Sequence, residues 1–172
     1  DHKVWEIGRR IPAPERVAEA RERIKGPVTH KDWVWAKETL LLDALIAKKR
    51  DVEVEVQAIQ VGPVVCLSNP AEYFVSYGLQ LKKRSGFPMT FPVELANGCV
   101  GYVPDEEAFG PNGGGYETRL TSYSNLDITA GTQFLNVGLE LAAKMKPAKL
   151  PERPNGPAGK PWAYGDQPPQ LK

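Results

Sequence analysis

The sequence predicts an α/β domain, built as a small mixed or parallel sheet with helices packed on it. It reads as one part of a larger α/β domain completed by another polypeptide segment. Three observations carry this. Val52, Val54, Val56 and Ala58 alternate with Glu53, Glu55 and Gln57, the period-two pattern of a strand with one wet face. Val64-Val65-Cys66-Leu67 is a short continuous apolar run, as in a strand covered on both faces. Helix-patterned segments surround these runs, and the order strand, helix, strand over residues 63–95 favours parallel pairing across a right-handed crossover.

Taken in order, residues 4–11 read as a short strand. Pro14 suits the first position of a helix that continues over 15–25 until Gly26-Pro27 stops it. Thr29 and Asp32 resemble a capping box for a second helix over 30–49. That helix carries Trp33, Leu40, Leu41, Leu42, Ala44, Leu45 and Ile46, enough apolar positions to predict burial on more than one side. Lys48, Lys49 and Arg50 suit its C-terminus. After the strands at 52–58 and 64–67, Asn69-Pro70 is expected to open a helix with Ala71, Phe74, Val75, Gly78 and Leu81 inward. Residues 91–95 read as another buried strand. Residues 98–125 are loop-rich with a short element at 105–109, and a last helix over 130–146 sets Phe134, Val137, Leu141 and Met145 on one stripe. Seven of the 16 prolines fall in residues 147–172, so the body is 1–146 and the remainder a Pro-rich extended tail. Trp162 and Tyr164 are its candidate anchors.

Composition narrows the function. The 22 Lys and Arg against 21 Asp and Glu leave a net charge of +1, without the basic excess of a nucleic-acid binder. No apolar run approaches the roughly 20 residues of a membrane span. The chain opens on Asp1-His2-Lys3, which fits a cytosolic protein or one whose export signal has been removed. With two cysteines and two histidines, His2 and His30, neither a disulfide scaffold nor a self-contained histidine metal site is expected.

In an open parallel sheet, ligands gather beyond the carboxyl ends of the strands. Here those ends are Ser68-Asn69-Pro70-Ala71-Glu72 and Ala96-Asn97-Gly98-Cys99, on the same edge. Topology therefore brings the Glu72 carboxylate and the Cys99 thiol toward one rim. Glu72 is a candidate metal ligand or base. Its blander reading is a capping box with Asn69, satisfying backbone N–H groups. Cys99 is a candidate soft ligand or nucleophile, against a small buried residue. A Cys66–Cys99 disulfide is disfavoured because Cys66 sits inside an apolar strand. Gly110-Pro-Asn-Gly-Gly-Gly115 lacks the context of a phosphate loop and reads as a loop or lid over a site. Tyr102, Tyr116 and Tyr123 flank it. Tyrosines at a rim donate hydrogen bonds to an oxyanion, or simply pack with a wet tip. Trp33 and Trp35 read as core or interface, and Lys82-Lys83-Arg84 as a solvated helix end.

Residues 54–74, closing on Ser-Asn-Pro-Ala-Glu-Tyr-Phe, resemble the neutral/alkaline, non-lysosomal ceramidase superfamily, especially its shorter bacterial members, where Gly-Glu-x-Phe opens a helix after a strand. Leu95-Ala-Asn-Gly-Cys-Val-Gly-Tyr-Val-Pro-Asp-Glu-Glu-Ala-Phe resembles the family's Asn-x-Tyr-x-x-Tyr and Glu-Glu segments, and Gly-Gly-Tyr116-Glu117-Thr its Tyr-Glu loop. The resemblance runs over about residues 50–146 and implies the C-terminal part of a secreted, periplasmic or cell-surface zinc amidase. That enzyme cleaves an amide with metal-activated water, its zinc held by two histidines of an N-terminal part, a glutamate and a tyrosine. Glu72 matches the glutamate and Cys99 the tyrosine position, which makes both candidate zinc ligands; Tyr102 and Tyr116 are candidate oxyanion donors. Three departures stand out: Ala71 replaces the motif glycine, Cys99 replaces tyrosine, and the histidine-bearing half is missing from these residues. The implied partner is the N-terminal half of the same precursor or a separate subunit, with homo-oligomerisation an option and no nucleic acid. Two further readings stay open: a non-catalytic structural or interaction subunit that has lost the metal site, and a cysteine hydrolase using Cys99, for which no basic partner is in view.

Overall fold

The structure is a computed structural model, and it describes residues 1–152 and residue 170. Its elements run β1 (His2–Gly8), α1 (Pro14–Arg23), α2 (Trp33–Lys48), β2 (Asp51–Val61), β3 (Val64–Ser68), β4 (Glu72–Tyr73), α3 (Val75–Arg84), β5 (Met89–Val93), β6 (Tyr102–Val103), a 3₁₀ turn (Glu106–Phe109) and α4 (Ala130–Ala143). Four strands form an open mixed sheet in the order β1-β2-β3-β5, and β4 and β6 form a separate two-stranded ladder. β2 is antiparallel to both β1 and β3, while β3 and β5 are parallel, with Cys66 opposite Phe91. The fold class read from the sequence is the one observed. The tail beyond residue 152 lies, apart from residue 170, outside the described residues, and so do Trp162 and Tyr164.

One face of the sheet is covered by α3 and α4. Val54, Val56, Ala58, Val65 and Leu67 point into that layer and meet Leu81, Phe134, Leu135 and Leu141. Trp5 packs edge-on against Phe134 at 5.7 Å between centroids. The two helices cross closely because residue 131 has no side chain: a Cβ there would lie 2.3 Å from the Tyr77 ring. The α4 stripe expected from the sequence is present, with Phe134, Val137 and Leu141 buried.

The opposite face departs from expectation. Strands β3 and β5 were expected to be covered on both sides. Instead Ile59, Val61, Met89 and Phe91 stand exposed, Phe91 at 47%, and Cys66 is only half-buried. The described residues contain no second helical layer on that side, so alternate residues of these apolar strands face outward. The strand expected over 91–95 also shifts to Met89–Val93, leaving Leu95 outside it.

Helix α2 differs for a related reason. Only Ala36, Thr39 and Leu42 are buried, a single i, i+3, i+6 stripe; Val34, Leu41 and Leu45 are exposed. One apolar side is thus buried against neighbours, and the other stays largely open among the described residues. The Thr29/Asp32 capping box does not form: the helix starts at Trp33 and makes no side-chain cap hydrogen bond, Asp32 pairing instead with Arg23 at 3.0 Å. Pro14 does occupy the start of α1. Trp33 donates its indole N–H to the Ile24 carbonyl at 3.1 Å, locking the α1–α2 corner.

Candidate functional site

The segment after β3 is where sequence and structure diverge most. The helix expected from Asn69 begins only at Val75. Asn69 turns its side chain on the backbone, Oδ1 accepting from Ala71 N at 3.0 Å. The chain then runs extended through Glu72 and Tyr73, which pair in parallel with Tyr102 and Val103. Glu72 is therefore no capping residue. Its orientation follows from strand alternation. Tyr73 is 6% exposed, stacks on Tyr77 at 4.7 Å and donates its hydroxyl to the Gly131 carbonyl at 2.7 Å. Burial raises the Tyr73 pKa, so its phenol stays a neutral anchor. With Tyr73 turned inward, Glu72 turns outward beside Tyr102.

The two strand ends are stitched together by backbone hydrogen bonds. Asn69 N donates to Val93 O, Ala96 N to Asn69 O, Leu95 N to Ala71 O and Val100 N to Pro70 O, at 2.9–3.2 Å. Leu95 and Asn97 take up left-handed backbone, φ +51° and +59°, to make this return. Such a conformation costs an L-residue about 1–2 kcal/mol. Cys99 is thereby carried to the rim that holds Glu72, and it is exposed rather than buried as a small core residue. Neither cysteine forms a disulfide.

The group that joins them is Tyr123. Its hydroxyl donates to Glu72 Oε1 at 2.6 Å and lies 3.4 Å from Cys99 Sγ. A phenol has one proton. With that proton directed at the carboxylate, the Cys99 S–H is the donor to the Tyr123 oxygen, giving a chain of contacts from thiol to phenol to carboxylate. The contacts with Cys99 and then Glu72, followed by desolvation, push the Tyr123 pKa up. Tyr102 packs edge-to-face on both Tyr123 and Tyr116, at 5.5 and 5.3 Å. Its pKa is pushed up to about 12, chiefly by the Tyr116 hydroxyl, then by desolvation and the charge of Glu72.

Gly101 makes the approach of Tyr123 sterically allowed. It sits at φ +74°, and a Cβ there would fall 1.8 Å from the Tyr123 carbonyl oxygen. The loop bearing Tyr123 is fixed from behind. Ser122 N donates to Glu38 Oε2 at 3.2 Å and its hydroxyl donates to the same oxygen; Asn125 Nδ2 donates to the Thr121 and Ser122 carbonyls. Cys99 also borders two small cavities, of about 90 and 290 Å³.

The sequence-derived candidates Glu72, Cys99, Tyr102 and Tyr116 thus fall in one cluster. Tyr123, which sequence reasoning noted only as flanking the glycine-rich loop, stands at its centre. No local pattern marks it, because its partners lie 24 and 51 residues away. Among the described residues, no group of three His, Cys, Asp or Glu side chains is placed to hold a metal ion. Glu72 and Cys99 offer two donors of the types zinc takes, whereas a catalytic zinc site uses three protein ligands. These residues alone do not make a zinc site.

No family model matches the chain, and no curated protein matches it significantly. Two solved structures are similar in fold. Both are ceramidases. One is a ceramidase complexed with C2, at 15% identity and a TM-score of 0.44, covering 60% of this chain. The other is the neutral ceramidase from Pseudomonas aeruginosa, at 15% identity and a TM-score of 0.41, covering 59%. In each case the matched region spans 17% of the neighbour's own length. The likeness is one of backbone shape and assigns no residue a role.

Proposed function

We propose that this chain is the C-terminal portion or a subunit of a metal-dependent amidohydrolase resembling neutral ceramidase. The observation that carries the reading is the Tyr123 hydroxyl, which ties the Glu72 carboxylate to the Cys99 thiol at a rim formed by two strand ends. The motif resemblance around residues 72 and 99 points to the same two positions independently of any distance. A bound zinc would supply polarisation of the acyl carbonyl and a water acidified toward about pH 7. Glu72 and Cys99 are this chain's contribution to holding it, and the remaining ligands come from another polypeptide segment.

The residues of this chain have further roles in the proposal. Tyr102, its pKa pushed up to about 12, and Tyr116 present phenolic donors to the oxygen of a tetrahedral intermediate. Tyr123 holds Glu72 in one rotamer and shares its proton with it. The partner segment covers the exposed outer face of β3 and β5. Support for that comes from the parallel pair itself, since such strands are ordinarily covered on both sides and here have helices on one.

The test is made on the intact assembly purified from its source. Zinc is expected to co-purify. Glu72→Gln is expected to lower amide hydrolysis by about 100-fold or more, since even outer partners of metal ligands cost 10–100-fold. An assembly free of bound metal whose Glu72→Gln variant is fully active sinks the proposal. The structural-subunit reading is favoured by the missing third ligand among the described residues. It predicts an assembly whose activity, whatever it is, does not respond to Glu72, Cys99 or chelators.

A further inference from the structure

A second feature lies on the other side of the loop that carries Tyr123. Between α1, α2 and residues 118–120 there is an open cleft of about 710 Å³. Four guanidinium groups line it, those of Arg10, Arg16, Arg23 and Arg119, against two carboxylates, Glu19 and Asp32. Asp32 is engaged by Arg23 at 3.0 Å. That leaves Arg10, Arg16 and Arg119 facing Glu19 alone, a surplus of positive charge within the cleft.

The three arginines are held differently. Arg10 is half-buried, and its N–H groups go to the carbonyls of Leu126, Thr118 and Ser124 at 2.9, 3.1 and 3.0 Å. It is a fixed charge with three of its five N–H groups committed to backbone carbonyls. Burial lowers its pKa, the neighbouring Arg16 lowers it further, and Asp127 offsets these only in part. Asp127 in turn accepts from the backbone N–H and hydroxyl of Thr129 at 2.9 and 2.6 Å. The Arg119 guanidinium lies over the Trp35 ring, 3.9 Å from its centroid, and its side chain makes no hydrogen bond among the described residues. A guanidinium held over an aromatic face keeps its N–H groups available, and their fork suits bidentate capture of a phosphate. Arg16 spends one weak contact, 3.4 Å, on the Leu120 carbonyl. Trp35, Ala20 and Ala36 give the cleft an apolar wall beside these donors.

We propose that this cleft binds a phosphomonoester, with Arg119 and Arg16 as its donors, half-buried Arg10 as background charge and Trp35 as the surface for the organic part. Neither the hydrolase reading nor the ceramidase resemblance calls for such a site. The ligand's phosphate is either that of a soluble ester or a lipid headgroup, and the experiment separates the two.

Phenyl phosphate is titrated into the full chain by calorimetry at constant ionic strength. In parallel, the chain is sedimented with phosphatidylcholine vesicles with and without phosphatidic acid. Saturable binding is expected that weakens about ten-fold or more in Arg119→Gln and in Arg16→Gln, the loss of one charge-assisted hydrogen bond each. Lys83→Gln, on a different helix, is expected to bind as the wild type does. Circular dichroism checks that each variant remains folded, and Arg119→Lys, which keeps the charge without the stacked plane, is expected to weaken binding too. Sedimentation dependent on both phosphatidic acid and Arg119 assigns the phosphate to a lipid headgroup. Saturable phenyl phosphate binding without it assigns a soluble ester. No saturable binding to either probe, or binding unchanged in both glutamine variants, overturns the proposal.

Discussion

At the scale of single side chains, Tyr102 and Tyr123 make the clearest departures from ordinary behaviour in the cluster. A tyrosine normally ionises near pH 10. Tyr102 is held up to about 12, with the Tyr116 hydroxyl the largest cause. The difference between wild-type and Tyr102→Phe alkaline absorbance titrations is therefore expected to show one phenol ionising near pH 12. In Tyr116→Phe that phenol is expected to move back toward 10. A folded-state pKa above the unfolded one means the protonated phenol is the form the native state favours. Its contribution is fully present below about pH 10 and is lost as pH climbs through about 12. The residues around it explain why the candidates were partly visible beforehand. Glu72 and Cys99 were legible because each follows a strand end. Tyr123 was not, because only the return of a distant loop gives it partners.

At the scale of elements, the decisive piece is the two-residue ladder of β4 and β6, too short to leave any periodic trace in the sequence. Asn69, Pro70 and Glu72 spell a plausible helix start, and local propensity alone selects that reading. The ladder wins because Glu72 N donates to the Gly101 carbonyl at 2.9 Å and because Tyr73 gains a buried stacked position. Gly101 is the hinge of this arrangement. Gly101→Ala must both adopt φ +74° and push the Tyr123 carbonyl away. It is expected to destabilise the protein by about 2 kcal/mol or more, combining left-handed strain with a backbone clash. A urea midpoint that falls, with loss of the raised Tyr102 ionisation in the same variant, is the measurement. An unchanged midpoint and titration would show that residue 101 is not what positions the site.

At the scale of the whole molecule, the exposed face of β2, β3 and β5 has the strongest consequence. Ile59 pairs with Cys66 and Cys66 with Phe91, so these three strands present one continuous apolar surface, with Val61 68% exposed at its hairpin end. A surface of this kind marks an interaction site or an aggregation liability. Double substitution Ile59→Lys with Phe91→Glu is expected to leave the fold intact, since neither side chain enters the α3–α4 layer. It is also expected to abolish association of the chain with itself, or with the partner segment proposed above, in analytical ultracentrifugation. Unaltered association in the variant would place the interface elsewhere.

The sequence by itself determined the α/β class, the parallel β3–α3–β5 unit, the single stripe of α4 and the edge on which Glu72 and Cys99 emerge. Those properties follow from hydrophobic period and chain order, which are local. The tertiary structure alone decided that the helix starts late, that one sheet face stays bare, that Tyr123 joins the carboxylate to the thiol and that three arginines share a cleft. Each depends on which distant segments meet, and close approach is set by packing and backbone hydrogen bonds that no stretch of sequence encodes on its own.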